Sequence, residues 1–271
     1  MDTLPLAFWK EITGTTPRVT LRFLDDLNDD GIAYNVTQEM NTRSKGINEK
    51  ISIFVKMHQG CCEWSVLQNK SNISTAIFEQ EGDRRAIQGL FIRETSAIKA
   101  SNAEQMINFH SKTHPADGSL LQLRGITQES GLDFTLIPDF FQQIKIEKTV
   151  LNNMEVLKFL DRSTESPHFE SLSVVESELP FDMEAFVVKL FTKNKMCNVT
   201  VDTVFTAEGI EQLISKWKKG EIEEPINGCK TLKFCIHPQD GRTLRLNKEG
   251  SNFVLKVCTQ FDHMSLTIVE F

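Results

Sequence analysis

The chain has 271 residues, enough for one large domain or two small ones with a sizeable buried core. Forty percent of the residues are apolar and the net charge is −7, which suits a globular protein and argues against sequence-independent nucleic-acid binding, since that requires a basic face. No apolar run reaches the roughly 18 residues needed to cross a membrane, and the start Met1-Asp2-Thr3-Leu4-Pro5 does not resemble a secretory signal. The expectation is a cytoplasmic or nuclear protein without membrane contact. In that reducing setting the six cysteines, Cys61, Cys62, Cys197, Cys229, Cys235 and Cys258, should be free thiols rather than a disulfide framework. The sequons at Asn35, Asn72 and Asn198 are then chance matches.

In chain order, residues 1–15 read as a short amphipathic helix, with Leu4, Phe8, Trp9 and Ile12 apolar. Gly14-Thr15-Thr16-Pro17 interrupts it, and Arg18-Val19-Thr20-Leu21 then alternates as a strand does. Residues 16–85 form a strand-rich, irregular region that includes Ile51-Ser52-Ile53-Phe54-Val55, Glu63-Trp64-Ser65-Val66 and Thr75-Ala76-Ile77-Phe78. Residues 86–271 are more regular. Leu90-Phe91-Ile92 and Leu121-Gln122-Leu123 open two weaker units. Four alternating runs follow, Ile144-Lys145-Ile146, Leu172-Ser173-Val174, Val199-Thr200-Val201 and Leu232-Lys233-Phe234. Leu172 lies 28 residues after Ile144, Val199 lies 27 after Leu172, and Leu232 lies 33 after Val199.

A helical pattern follows each of the first three runs. The apolar positions are Met154, Leu157 and Leu160, then Met183, Phe186, Val187 and Leu190, then Ile210, Leu213, Ile214 and Trp217. Asp182 and Thr206 stand where N-caps belong, and Lys216-Trp217-Lys218-Lys219-Gly220 has the cations and glycine of a helix end. A strand and a helix cannot bury their apolar faces alone, so recurrence at this spacing points to stacked units with parallel strands. The expected fold class is α/β: a leucine-rich-repeat-like β/α solenoid with a strand-rich N-terminal part and a C-terminal antiparallel β cap. The cap is built from Thr243-Leu244-Arg245-Leu246, Asn252-Phe253-Val254-Leu255-Lys256-Val257 and Ser265-Leu266-Thr267-Ile268-Val269, the first two joined as a hairpin through Glu249-Gly250-Ser251. The other reading is an ordinary α/β domain with crossovers of similar length.

Met1, Asp2, Pro5, Leu6 and Phe8, with the helix end Trp217-Lys218-Lys219-Gly220 before Leu232-Lys233-Phe234, carry a resemblance to the nematode F-box-associated repeat proteins and their F-box-less relatives. The resemblance implies substrate recognition for a cullin-type ubiquitin ligase. It also implies a Skp-family adaptor as a partner of Leu4, Pro5, Phe8, Trp9 and Ile12, since a Leu-Pro followed by a short helix is how an F-box begins. The motif here is degenerate, because Gly14-Thr15-Thr16-Pro17 stands where further helices belong. The same helix can instead pack its apolar face on the domain.

Little else in the sequence points to chemistry. His110 and His114 are four apart, but Ser111 stands where a zinc protease has its glutamate. Cys229, Cys235 and His237 lack the tight cysteine pair of a structural zinc site. Asp25-Asp26 and Asp29-Asp30-Gly31 lack the alternation of a calcium loop. No glycine-rich phosphate loop or nucleophile elbow is present. The sequence therefore suggests no catalytic, cofactor or metal residue, and no oligomeric state. The leading function is a protein-interaction module, whose outward strand residues Lys145, Ser173, Thr200 and Lys233 are the binding candidates. The alternatives are an enzyme on an α/β scaffold, marked by a histidine beside a cysteine or carboxylate in a cleft, and a structural protein with no tight partner.

Overall fold

A computed structural model of the chain describes residues 50–68, 71–73, 85–99, 108–193, 198–225, 229–248 and 250–270. Its strands are β1 (Ile51–His58), β2 (Cys61–Gln68), β3 (Ser71–Ile73), β4 (Arg85–Glu94), β5 (Thr113–Arg124), β6 (Gln143–Glu147), β7 (Ser171–Val175), β8 (Asn198–Val204), β9 (Cys229–Asn247) and β10 (Phe253–Glu270). The helices are a single turn α1 (Phe109–Lys112), then α2 (Glu155–Glu165), α3 (Met183–Lys193) and α4 (Ala207–Lys218). The protein is mixed α/β, and its described strands form one open sheet in the order β10-β9-β8-β7-β6-β5-β4-β1-β2-β3.

From β4 to β9 every neighbouring pair is parallel and the spatial order follows the chain. Parallel neighbours need a crossover. Helices α2, α3 and α4 supply those after β6, β7 and β8, and the crossover from β5 to β6 carries two 3-10 turns, Gln128–Ser130 and Phe134–Leu136. The boundary expected at 85/86 falls inside the sheet, because β1 pairs in parallel with β4 and carries the antiparallel β2 and β3 with it. The expected strands Ile51–Val55 and Glu63–Val66 lie in β1 and β2. Residues 1–49, with the 1–15 helix and the strand at 18–21, lie outside the described residues, as do 75–78.

The inward residues of the strands, from Ile53 and Val55 through Ile144 and Ile146 to Leu232 and Phe234, are buried in one cluster with Val156, Phe159 and Leu160 of α2, Phe186, Val187 and Leu190 of α3, and Leu213 and Trp217 of α4. The apolar face expected for α3 is the buried one. On α2 the face is rotated: Met154 is exposed and Leu157 is only partly buried, while Val156 and Phe159 fill the core. The spacing of three from Met154 to Leu160 follows the wrong stripe, because i, i+3, i+4 and not i, i+3, i+6 holds one face. Both expected caps form. Asp182 Oδ1 accepts from the Ala185 N–H at 3.0 Å and Thr206 Oγ1 from the Gly209 N–H at 3.1 Å.

A repeated turn ends the central strands. The residue after β5, β6 and β7 is in each case left-handed: Gly125 (φ 63), Lys148 (φ 51) and Glu176 (φ 50). Two of the three are not glycine, so the surroundings hold a conformation that L-residues rarely adopt. What holds it is a ladder across neighbours. Gly125 N–H donates to Glu147 O (2.9 Å), and Lys148 N–H to Val175 O (3.1 Å). One step on, Ile126 N–H donates to Thr149 Oγ1 (3.4 Å) and Thr149 N–H to Ser177 Oγ (3.1 Å). Each hydroxyl also donates back to its own strand end, Thr149 to Glu147 O (3.0 Å) and Ser177 to Val175 O (2.8 Å). These two hydroxyls, 28 residues apart, satisfy backbone groups that burial would otherwise leave unpaired.

The expected cap is a ribbon of two long strands. Thr243–Leu246 continues β9, and the Ser265–Val269 run continues β10 from Phe253. The hairpin turn falls as expected, with Gly250 at φ 72. Register shifts at Phe261 mark a bulge, which bends a strand. The far end of the ribbon returns to α4, where Trp217 Nε1–H donates to Leu246 O (3.1 Å) and Lys248 pairs with Glu224 (2.8 Å). Lys230, fully buried on β9, donates to Glu223 O (3.2 Å) and sits 4.7 Å over the Phe191 ring.

Glu184 of α3 ties the next unit to its own. Its carboxylate accepts from Thr206 N–H (2.8 Å) and from Thr206 Oγ1 (2.6 Å), and a Cβ at Gly209 would collide with it. Gly209→Ala should therefore leave the urea unfolding midpoint close to unchanged, because displacing the Glu184 carboxylate offsets the about 1 kcal/mol by which glycine to alanine inside a helix ordinarily stabilises. A midpoint raised by the whole of that helix gain would show that the Glu184–Thr206 tie contributes nothing.

Candidate functional site

The face opposite the described helices is where the exposed strand side chains collect. Strand side chains alternate between faces, and the pairing register aligns them into rows. The middle row runs Phe54, Phe91, Gln122, Lys145, Ser173, Thr200, Lys233 and Ser265, each the register partner of the next. All are exposed or half-buried, and no described helix lies over them. The four strand residues expected to face outward, Lys145, Ser173, Thr200 and Lys233, are consecutive members of this row. Lys145, Thr200 and Lys233 are exposed and Ser173 is half-buried.

A second outward row lies two residues further along the strands. Lys56, Arg93, Arg124 and Glu147 are register partners in succession, and Glu63 of β2 stands opposite Lys56. Lys56 Nζ pairs with Glu63 at 3.1 Å, and Gln122 Nε2–H donates to Glu147 Oε2 at 3.0 Å. Arg93 and Arg124 are exposed and form no ion pair among the described residues. Beside them Phe54 and Phe91 stack with centroids 4.7 Å apart and planes at 10°. The stack depends on Gly89. Gly89 precedes Phe91 by two on the same face, and the Phe91 ring lies where a Cβ at 89 would sit. Phe54, Phe91, Lys56, Glu63, Arg93, Gln122 and Arg124 line a hollow of about 330 Å³. Arg93 and Arg124 are not among the residues that sequence reasoning singles out. A signal for them exists: each directly follows a strand triplet, Leu90-Phe91-Ile92 or Leu121-Gln122-Leu123, at the same offset.

The far end of the face holds a thiol beside an imidazole. Cys235 Sγ is 3.8 Å from His263 Nε2, and His263 Nδ1 is 2.5 Å from Asp262 Oδ1. The order cysteine, histidine, aspartate is that of a nucleophile with its base and orienting carboxylate. The electrostatics oppose it. Burial, then the Asp202 and Asp262 carboxylates, push the Cys235 thiol up, whereas a nucleophilic cysteine needs its thiolate favoured. The bond to His263 holds the Asp262 carboxyl below its usual range. Both His263 and Asp262 are mostly exposed, so the pair sits on open surface.

The other sequence candidates separate. Leu4, Pro5, Phe8, Trp9 and Ile12 lie outside the described residues, as do Cys197 and the aspartates at 25–30. His114 lies in β5, its Nδ1 3.2 Å from Pro115 O, while His110 belongs to the one-turn helix α1. Cys235 and Cys258 lie on strands and are half-buried, while Cys61 and Cys229 are exposed; these four and Cys62 are reduced thiols. Among the described residues, no group of three histidine, cysteine or carboxylate side chains is placed to hold a metal ion. No helix among them is long and apolar enough to cross a membrane.

Comparison of the chain with models of protein families, with curated proteins and with solved structures finds no match.

The thiol provides a direct check on the enzymatic alternative. Cys235 should alkylate slowly with iodoacetamide at neutral pH, with a rate that keeps rising past pH 9 and is unchanged by His263→Ala, followed by peptide mass spectrometry. A rate plateau near pH 7 that His263→Ala abolishes would mark a base-activated thiolate.

Proposed function

We propose that the chain is a protein-interaction module, without catalytic activity of its own, that presents its uncovered sheet face to a partner. The observation that supports this reading is the row from Phe54 to Lys233, which is in register over seven parallel-paired strands and is not overlain by any described helix. A rigid sheet whose outward side chains are free of core duty can vary them without cost to stability. Phenylalanine and arginine together on that face favour a protein partner, because aromatic residues and arginine are enriched in protein interfaces and among their energetic hot spots.

The recurrence of strand and helix, with the left-handed residue and hydroxyl at the same place in successive units, favours the leucine-rich-repeat-like solenoid over coincidental crossover lengths. Such an array suits the resemblance to the F-box-associated proteins. In that reading the protein acts in the cytoplasm or nucleus, the sheet face recognises a client, and Leu4, Pro5, Phe8, Trp9 and Ile12 engage a Skp-family adaptor of a cullin-type ubiquitin ligase.

Affinity purification with mass spectrometry separates these parts. Proteins held by the full chain should be lost from the Lys145→Glu/Lys233→Glu variant and kept by Glu211→Lys, on an exposed position of α4, with all three chains unfolding at the same temperature. Adaptor and cullin peptides should disappear when residues 1–15 are deleted. Equal capture by the Lys145→Glu/Lys233→Glu variant would rule out the face, and absence of adaptor and cullin from both the full and the shortened chain would rule out the ligase role.

A further inference from the structure

We infer that the corner formed by Phe54, Phe91, Arg93 and Arg124 is a recognition site for an acidic peptide segment that carries an apolar side chain between carboxylates. This rests on the sheet face being the interaction surface and assigns the chemistry of what it takes. Three observations converge.

The first is charge. Arg93 and Arg124 are register partners on neighbouring parallel strands, which places their Cα atoms about 4.8 Å apart. Lys56 is the partner of Arg93 on the other side. Like charges directly opposite one another disfavour a sheet. Here Glu63 answers Lys56, and Glu147, the neighbour of Arg124, is engaged by the Gln122 amide. The two guanidinium groups have no carboxylate partner among the described residues, and they stand in a chain whose net charge is −7. A pair of planar five-donor forks held side by side is suited to carboxylates, which each can grip in bidentate fashion.

The second is the aromatic shelf. The Phe54 side of the stack is 38% exposed, unusual for a ring of this size, and the stack is in the hollow that the arginines line. The chain gives up a side chain at Gly89 to let the Phe91 ring lie down beside it. The third is size. At about 330 Å³ the hollow is at the lower end of the roughly 300–1,000 Å³ range of ligand pockets, and so fits one or two side chains rather than a large cofactor.

Single-stranded nucleic acid, the other polymer read by aromatics and cations, fits less well. It needs a cationic track along its backbone and a ring face for each successive base. Here the cations are three, bounded by Glu63 and Glu147, and the two rings cover one another.

Fluorescence anisotropy of the full chain tests this with a labelled nine-residue peptide, one phenylalanine with glutamates on both sides. The expected result is saturable binding that weakens at least about tenfold in Arg93→Glu/Arg124→Glu and about fivefold in Phe91→Ala. It should weaken with added salt, vanish when lysines replace the glutamates, and survive Lys233→Glu. Matching thermal unfolding of the variants excludes loss of fold, and Arg93→Lys/Arg124→Lys, which keeps charge but not the forks, should retain only part of the affinity. No binding, or binding indifferent to the arginine and phenylalanine changes, overturns the assignment. Tighter binding of a nine-nucleotide oligouridine than of the peptide overturns it in favour of nucleic acid. Should the peptide fail while partner capture still depends on Lys145 and Lys233, only the corner assignment falls; should capture itself be indifferent to the face, the interaction reading falls with it.

Discussion

The structure depends on one constraint, the register of its parallel ladder. Parallel strands joined in sequence need crossovers, and the helices α2, α3 and α4 pack their apolar sides against the inward strand residues, so that one face of the sheet is buried and no described helix covers the other. A slip of one residue in any strand would turn its buried isoleucines, leucines and valines outward and its polar residues inward. Ile144, Leu172, Val199 and Leu232 are successive register partners and each is at most 1% exposed. The same register that closes the core therefore aligns Lys145, Ser173, Thr200 and Lys233 on the open side. The rows are a consequence of burial, and what varies along them is the part of the sequence that the core does not dictate.

Where the strands end, the register is fixed a second time by backbone and hydroxyl bonds. Thr149 is fully buried, and its hydroxyl takes the N–H of Ile126 while its own N–H goes to Ser177. The left-handed residues Lys148 and Glu176 belong to this device. Their strain is held by the neighbours on each side, as it must be for a non-glycine residue. The two ends of the outward face then differ in character. Cations and stacked rings lie at β1, β4 and β5. Acidic groups, Asp202 and Asp262, lie at β8 and β10 and add to the burial that pushes the nearby Cys235 thiol up. A thiol in that field is poorly suited to nucleophilic work, however good its distance to His263.

Much of this architecture is legible in the amino-acid sequence. Alternation marks the strands, because a half-buried strand must alternate, and the caps Asp182 and Thr206 mark the starts of α3 and α4. Three features stay hidden for physical reasons. The face of α2 is misleading, because Met154, Leu157 and Leu160 are all apolar while Val156 and Phe159 are the residues that reach the core with Leu160. The continuity of β9 and β10 is masked by His237, Pro238, Gln239, Asp240 and Gly241, residues that signal a turn locally but here lie in a ribbon set by pairing with its neighbour. The hydroxyl ladder is hidden because no regularly spaced residue type marks it, and threonine in one unit and serine in the next take the backbone bonds, at Thr149 and Ser177. On the open face, alternation alone gives the outward direction of Lys145, Ser173, Thr200 and Lys233. The arginine pair emerges only when the units are superposed by register, since Arg93 and Arg124 are 31 residues apart in a chain whose unit spacings are uneven.

The register is also the most direct thing to measure. In a chain with Cys61 and Cys229 replaced by serine, Ser173→Cys and Thr200→Cys should form an intramolecular disulfide under mild oxidation without lowering the unfolding temperature, since the two are direct partners on neighbouring strands within bridging distance. If Ser173→Cys bridges instead to a cysteine placed at Val199 or Val201, the strands pair out of the stated register, and the outward row with everything assigned to it would be contradicted.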